Sequence, residues 1–172
     1  MSNDPTPPPS DTRAEMMARI DQGFCQMVPH NRALGMQVVD FGDDWISLRL
    51  PWREDLVGNP ETGVLHGGAI TTLVDSTCGV SVFFKMKQAV PVATLDLRID
   101  YLRPAETRRD VVARADCYKL TRNVAFVRAL AYHDDPADPI ASATGTFMIS
   151  TAGAQVVERA ELFERMKQTE GK

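Results

Sequence analysis

The sequence has few of the residues that build metal centres or disulfide frameworks. Its 172 residues include three cysteines and three histidines. Cys25, Cys78 and Cys117 are widely separated and form no CxxC pair, and the histidines lack the spacing of zinc ligands. An odd number of separated cysteines is typical of a reduced, cytoplasmic protein with free thiols. We therefore expect no metal and no cofactor.

The sequence also lacks a basic excess and a long uncharged hydrophobic run. Its net charge of -4 argues against nucleic acid as a partner, because phosphate binding needs a concentrated basic surface. The N-terminus is polar and proline-rich, so we expect no signal peptide. The longest stretch poor in charge, Gly63 to Phe84, is interrupted by Asp75, and this favours a buried core helix over a membrane span. We expect a soluble protein with no membrane partner.

The remaining patterns indicate one domain between two tails. Residues 1–12 are too polar and proline-rich to order themselves, which predicts a disordered N-terminal tail. From Arg13 the hydrophobic residues recur every three to four positions, which predicts a helix over 13–28 that ends before Pro29. The domain is expected over 13–152, and 153–172 are expected to form a C-terminal tail or a short helix.

Hydrophobic residues that alternate with polar ones predict an antiparallel sheet. A hairpin is expected over Met36–Phe41 and Trp45–Leu50. Beyond Pro91 the period is two, with Leu95, Leu97, Ile99 and Tyr101 on one face of a strand. Three further strands are predicted over Asp110–Leu120, Val124–His133 and Ile140–Ser150. Because no helix lies between these strands, the sheet is expected to be antiparallel.

Residues Ala69–Met86 are apolar almost all the way round a helix, as in a helix that is buried. The fold class is therefore expected to be α+β, with a curved antiparallel β-sheet wrapped around a long central helix. The uncovered faces of such a unit suit a dimer partner.

The start of this helix has the features of an anion site. Gly67 and Gly68 precede the apolar run, so the unpaired N–H groups of the helix start carry no side chain that would block a ligand. Such donors stabilise a developing oxyanion. Close packing of the loop is the structural alternative for a pair of glycines.

Asp75 is the only charged side chain between Glu61 and Lys85. A carboxylate in a buried helix is costly without a partner or a chemical task. Hydrogen bonds from neighbouring hydroxyl groups are the structural alternative. Eight residues separate Gly67 from Asp75, which is about 12 Å along a helix. If both act in one site, we expect them to come from different subunits.

Two segments carry a resemblance to a known family. They are G-V-L-H-G-G-A-x-x-x-L-V-D-x-x-x-G from Gly63 to Gly79 and A-T-L-D-L-R-I-D-Y-L-R-P-A from Ala93 to Ala105. Together they resemble the PaaI-like family of hotdog-fold acyl-CoA thioesterases, over about residues 34–150. The resemblance implies a hotdog homodimer, or a homotetramer of two such dimers, with its sites at the dimer interface. It implies hydrolysis of an acyl-CoA or aryl-CoA thioester to the free acid and CoA.

The same resemblance implies a role for each site residue. The acidic residue that acts as nucleophile or general base is Asp75, and the oxyanion donor is the Gly67 N–H, joined by that of Gly68. Asn59 corresponds to the loop asparagine, although it lies one residue further from the histidine than is usual, and Thr94 to the hydroxyl residue that holds water. His66 is expected to orient the loop or contact the ligand. The turn that resembles a clamp for the CoA phosphates contains Lys119 and Arg122.

Two alternatives stay open on the sequence. A non-catalytic hotdog protein that binds acyl-CoA would need the same fold, and a test of turnover separates it from an enzyme. Cys78, one turn after Asp75, is a second conceivable nucleophile, but no histidine is placed to activate it, and we expect it to be a core residue.

Overall fold

The computed structural model describes residues 12–149 and 157–158 of the chain. Its helices and strands alternate little, so most of the strands follow one another directly. The helices are α1 (Arg13–Ile20), α2 (Pro29–Leu34) and α3 (Gly67–Met86). The strands are β1 (Gln37–Phe41), β2 (Trp45–Leu50), β3 (Val57–Asn59), β4 (Val64–Leu65), β5 (Gln88–Ala89), β6 (Val92–Tyr101), β7 (Val111–Leu120), β8 (Val124–Tyr132), β9 (Ala141–Ile149) and β10 (Val157–Glu158).

Six strands form one antiparallel sheet in the order β1-β2-β7-β8-β9-β6. Helix α3 contacts β2, β7, β8, β6 and β9, so the sheet wraps around it. This arrangement confirms the predicted α+β hotdog architecture. Strand β6 pairs with β9, the last strand of this sheet along the chain, and therefore lies at one edge of the sheet.

Small side chains on the inner face of the sheet let the helix approach closely. The helix buries large side chains, among them Leu73 and Phe84, both with no exposed surface. The central strands β7, β8 and β9 face it largely with alanine, which leaves room for those side chains. These buried alanines are Ala113, Ala115, Ala125, Ala129, Ala131, Ala141 and Ala143.

The N-terminal region differs from the single predicted helix over 13–28. α1 is capped by Thr12 and continues as a π-helical segment over Asp21–Gln26. Val28 is extended, as expected for a residue before proline, and Pro29 starts α2. α2 ends at Gly35, whose φ of 70° is the left-handed conformation that glycine adopts readily. Proline thus separates two helices here, whereas we expected it only to end one.

A β-bulge in β6 corrects the predicted alternation of that strand. The register shifts between Thr94 and Asp96, which leaves Leu95 as an extra residue. Because side chains alternate along a strand, one extra residue moves the side chains before it to the opposite face of the sheet. As a result Leu95 is 56% exposed, and Thr94 points toward α3 on the same face as Leu97 and Tyr101.

The predicted tails lie mostly outside the described residues. In the N-terminal tail only Thr12 is described, and in 153–172 only β10. β10 is extended rather than helical, and its backbone pairs with β5, just beyond the end of α3. Within the described ranges, α3 alone has the length and hydropathy of a membrane span, and most of it is buried inside the protein.

Candidate active site

Asp75 lies on the side of α3 that the sheet leaves partly open. Its Oδ1 accepts a hydrogen bond of 2.8 Å from the hydroxyl group of Thr94 on β6. The carboxylate is half-buried, and none of the lysine or arginine side chains in residues 12–149 pairs with it. A carboxylate with a single hydroxyl partner keeps its other oxygen free to bind water or substrate.

The start of α3 offers one free donor. His66 precedes the helix, and its Nδ1 accepts the Gly68 N–H at 2.9 Å, which places the imidazole proton on Nε2. The Gly67 N–H makes no hydrogen bond within the described residues. Gly67 is therefore available as an oxyanion donor, whereas the Gly68 N–H, which we expected to join it, is already bonded to His66.

Tyr101 holds the start of the helix in place. Its hydroxyl group donates to the Gly67 carbonyl at 2.6 Å and lies 3.0 Å from the hydroxyl group of Thr71. The sequence analysis placed Tyr101 in a family motif but gave it no role in the site. Its position at the end of β6, three residues before Pro104, was the available signal.

The loop before α3 positions His66 by close backbone contact. The His66 N–H donates to the Leu56 carbonyl at 2.8 Å. A Cβ atom at Gly58 would lie 2.9 Å from the His66 Cα, so the β3–β4 hairpin can approach only because residue 58 is glycine. This contact fixes the histidine that caps the helix.

Asn59 lies at the end of β3 with one side-chain atom already bonded. Its Oδ1 accepts the Glu61 N–H at 3.0 Å, and its carbonyl accepts the N–H groups of Thr62 and Gly63. Its amide NH₂ group has no partner among the described residues. The residue thus shapes its own turn and retains free donors, and its role toward a ligand stays a prediction.

Lys119 and Arg122 lie at the β7–β8 turn. Both are exposed, and neither side chain makes an ion pair or hydrogen bond within residues 12–149. The Ile149 N–H donates to the Asn123 carbonyl in this turn, and Ile149 also pairs with Val92 at the start of β6. The turn is therefore at the same end of the sheet as Thr94.

Within one subunit the two candidate groups stay apart. Gly67 and Asp75 are separated by two turns of α3, about 12 Å along its axis. Their hydrogen bonds anchor them to residues at opposite ends of β6, Tyr101 and Thr94. No single thioester group can touch both.

The other candidate nucleophile and a metal site find no support in the described residues. Cys78 is fully buried, and burial, together with the nearby Asp75 carboxylate, raises the pKa of its thiol far above the usual value. A thiol without access to solvent is not a nucleophile at neutral pH. Within residues 12–149 no cluster of three or more His, Cys, Asp or Glu side chains could hold a metal ion.

Comparisons with known proteins identify the family. Residues 62–140 match the family model of the thioesterase superfamily. A solved structure from that superfamily is 32% identical, with a TM-score of 0.69, and the match covers 81% of this chain and 100% of the other. The chain belongs to the thioesterase superfamily. It is therefore an enzyme that hydrolyses thioesters.

Two further relatives of this thioesterase have informative names. The medium/long-chain acyl-CoA thioesterase YigI of Escherichia coli is 28% identical over 151 residues, which are 80% of this chain and 96% of YigI. A structure of a mutant of the phenylacetic acid degradation protein PaaI from Thermus thermophilus is 27% identical, with a TM-score of 0.62, and covers 71% of this chain and 99% of PaaI. The resemblance to PaaI-like hotdog thioesterases is confirmed.

Replacing Tyr101 with phenylalanine tests whether the hydroxyl group that holds Gly67 matters to the thioesterase. Loss of one hydrogen bond of this kind costs about 0.5–1.5 kcal/mol, so we expect kcat/KM to fall roughly two- to tenfold. Steady-state assays of thiol release measure it. Tyr132→Phe, on the outer face of β8, is the matched control and should retain wild-type activity. Wild-type activity in Tyr101→Phe would contradict this role.

Proposed function

We propose that the enzyme hydrolyses medium- to long-chain acyl-CoA thioesters at a site shared by two subunits. The observation that carries the proposal is a pair of groups on α3, about 12 Å apart along its axis. Among the described residues, the Gly67 N–H has no hydrogen-bond partner and the Asp75 carboxylate is bonded to Thr94 alone. An oxyanion donor and a carboxylate are what thioester hydrolysis requires. The similarity to YigI supports this class of acyl group. The alignment with YigI covers 80% of the chain, whereas the match with PaaI covers 71%.

The Gly67 N–H binds the thioester oxygen in this mechanism. Asp75, acting as a base, accepts a proton from a water molecule held beside Thr94, and the water oxygen attacks the carbonyl carbon. Collapse of the oxyanion breaks the C–S bond, and the CoA thiolate leaves and takes up a proton. Acting as a nucleophile, Asp75 would instead form an acyl anhydride that water hydrolyses. In both routes negative charge develops on the oxygen atom that Gly67 contacts.

The free edge of β6 is the surface on which a second subunit brings its carboxylate. β6 has ten residues and pairs only with β9 within the described sheet. Leu95, Tyr101 and Leu102 on and beside it are each about half exposed. A long edge strand with exposed hydrophobic side chains is a surface for strand pairing. We infer an antiparallel β6–β6 pair about a two-fold axis, with a tetramer of two such dimers as the larger assembly.

We place the two-fold axis of this pair at Arg98, because the bulge then allows Thr94 and Tyr101 to lie opposite each other. Directly opposite residues in an antiparallel pair point to the same face, and both Thr94 and Tyr101 point toward α3. With the axis at Arg98, Tyr101 lies three positions after the axis. Because Leu95 is an extra residue, Thr94 lies three pairing positions before it. The partner subunit's Thr94 is then opposite Tyr101, and it brings the partner subunit's Asp75 toward Gly67.

The other predicted site residues fit this arrangement. Because Lys119 and Arg122 lie at the Thr94 end of the sheet, they would come from the subunit that supplies Asp75 and bind the CoA phosphates as unpaired cations. Asn59 and His66 would come from the subunit that supplies Gly67. No cofactor enters the proposed reaction, since CoA is part of the substrate. All three cysteines are free and buried, which supports a cytoplasmic location.

Asp75→Asn tests the proposed chemistry with little change to the fold. Asparagine still accepts the Thr94 hydroxyl proton but is neither a base nor a nucleophile, so we expect turnover of acyl-CoA esters to fall roughly a hundredfold or more, as in Asp75→Ala. Release of free thiol measures the rate, and circular dichroism checks the fold. Asp43→Asn, in an exposed turn, is the control. Undiminished hydrolysis in both Asp75 variants would remove Asp75 from the mechanism, and binding of CoA esters without turnover by the wild type would favour a non-catalytic protein.

Arg98→Cys tests the subunit contact. Opposite residues in an antiparallel pair have Cα atoms about 4.5–5.5 Å apart, within the range for a disulfide, so oxidation should link two subunits across the proposed axis. Non-reducing electrophoresis measures the product. Gln37→Cys, exposed on the opposite edge strand β1, should give no covalent dimer. A monomer that fails to cross-link at position 98 would exclude the β6 dimer.

A further inference from the structure

A cleft of about 360 Å³ lies beside the start of α3. One wall is formed by α3 and the other by α2, with the segment before and within β3 between them. We call it the α2 cleft. Its lining includes His30, Leu34, Leu56, Val57, Ala69 and Thr72, and it reaches Gly68 and the capping His66. It therefore reaches the two residues that flank the oxyanion donor Gly67 along the chain.

We propose that the α2 cleft receives the acyl chain of the substrate and that Leu34, Ala69 and Thr72 set the chain length the enzyme accepts. This inference rests on the proposed acyl-CoA hydrolysis and gives that site its acyl pocket. The volume falls within the range of about 300–1,000 Å³ usual for small-molecule sites. A straight alkyl chain matches a cleft between two helices.

The direction in which the substrate enters excludes the other cleft at the helix start as the acyl pocket. That second cleft, of about 460 Å³, includes Gly67 and lies on the β6 side, with Tyr101 and Leu102 at its rim. Both residues lie at the edge where the partner subunit is proposed to pair, so the partner would cover it. The partner's Asp75 and the CoA moiety approach from that side. The acyl group, on the other side of the thioester carbonyl, is then directed toward the α2 cleft.

The side chains of the α2 cleft suit an alkyl chain. Leu34, Leu56 and Ala69 are half-buried and pack on the hydrophobic core, so they present apolar surface without being fully covered. The Thr72 hydroxyl already donates to the Gly68 carbonyl at 3.0 Å, so burial of this residue by a ligand leaves no donor unpaired. The polar residues His30 and Asp55 are exposed at the rim.

The α2 wall is fixed to the helix that carries Asp75. Asn31, which is 6% exposed, donates to the Phe24 carbonyl at 2.8 Å and accepts the Ser76 hydroxyl at 3.0 Å. Gly35 ends α2 with a left-handed turn. A wall held by a buried hydrogen bond keeps the width of the cleft constant, and a constant width is what discrimination by chain length needs.

The test measures kcat/KM for butanoyl-, octanoyl-, dodecanoyl- and hexadecanoyl-CoA in the wild type and in variants that fill or widen the cleft. Each methylene group that the wild type buries should raise kcat/KM up to about fourfold, until the cleft is full. Leu34→Trp should lower the ratio of dodecanoyl to butanoyl kcat/KM at least tenfold. Ala69→Leu should shift the profile in the same direction from the opposite wall, and Leu34→Ala toward longer chains. Val39→Trp, exposed on β1 away from the cleft, is the control and should keep the wild-type profile.

A binding measurement separates this inference from the proposed function. S-dodecyl-CoA, a thioether that cannot be hydrolysed, should bind Leu34→Trp at least tenfold more weakly than it binds wild type. S-butyl-CoA should bind Leu34→Trp, the control Val39→Trp and wild type with similar affinities. If no thioester is hydrolysed but these affinities shift, the acyl pocket stands and the proposed hydrolysis fails. If Leu34→Trp and Ala69→Leu change all chain lengths equally in both assays, the acyl pocket is elsewhere.

Discussion

Two hydrogen bonds tie the central helix to one edge of the sheet, and the rest of the account depends on them. Thr94 donates to Asp75 near the middle of α3, and Tyr101 donates to the carbonyl of Gly67 at its start. Both donors are on β6, the strand with a free edge. The proposed catalytic carboxylate and the proposed oxyanion donor are therefore each held at this edge, but at different ends of it. In the proposed dimer, a second copy of the same strand, running in the opposite direction, brings one of each together.

The bulge at Leu95 makes this arrangement possible. Without an extra residue, Thr94 and Tyr101 would point to opposite faces of β6, because seven positions separate them and side chains alternate. With it, both point toward α3. A local irregularity of the backbone thus places a hydroxyl group beside each half of the site, as bulges next to active sites often do. The same irregularity leaves Leu95 exposed at the edge that we propose as the subunit contact.

Much of the fold could be predicted from the sequence, because hydrophobic periodicity is a local signal. The first hairpin, the buried helix and the four later strands lie within a few residues of their predicted bounds. The position of β6 beside β9 rather than β7 could not be predicted, because strand order depends on contacts between distant segments. The bulge and the short helix α2 were also missed: one unpaired residue leaves little trace in a pattern of period two, and a helix of six residues shows less than two turns of periodicity.

The candidate site shows the same limit. Asp75 and Gly67 could be singled out because one is a lone charge in an apolar helix and the other belongs to a glycine pair. The roles of Tyr101 and Asn31 could not, because an ordinary tyrosine or asparagine gains significance only from the group that it reaches in space. The hydrogen bond from the Gly68 N–H to His66 could not be predicted either, because it depends on the rotamer of the histidine side chain.

A shared site is the central claim, and subunit mixing tests it most directly. Asp75→Asn removes the base, and Gly67→Val keeps the N–H but adds a side chain that crowds the Tyr101 hydroxyl group and the site, so we expect each variant to be inactive alone. The two variants are unfolded together and refolded as a mixture. Random pairing makes half of the dimers hybrids, and each hybrid has one site with both Gly67 and Asp75 intact, so the mixture should recover about a quarter of the wild-type activity. A mixture no more active than the two variants measured separately would contradict a site built from two subunits.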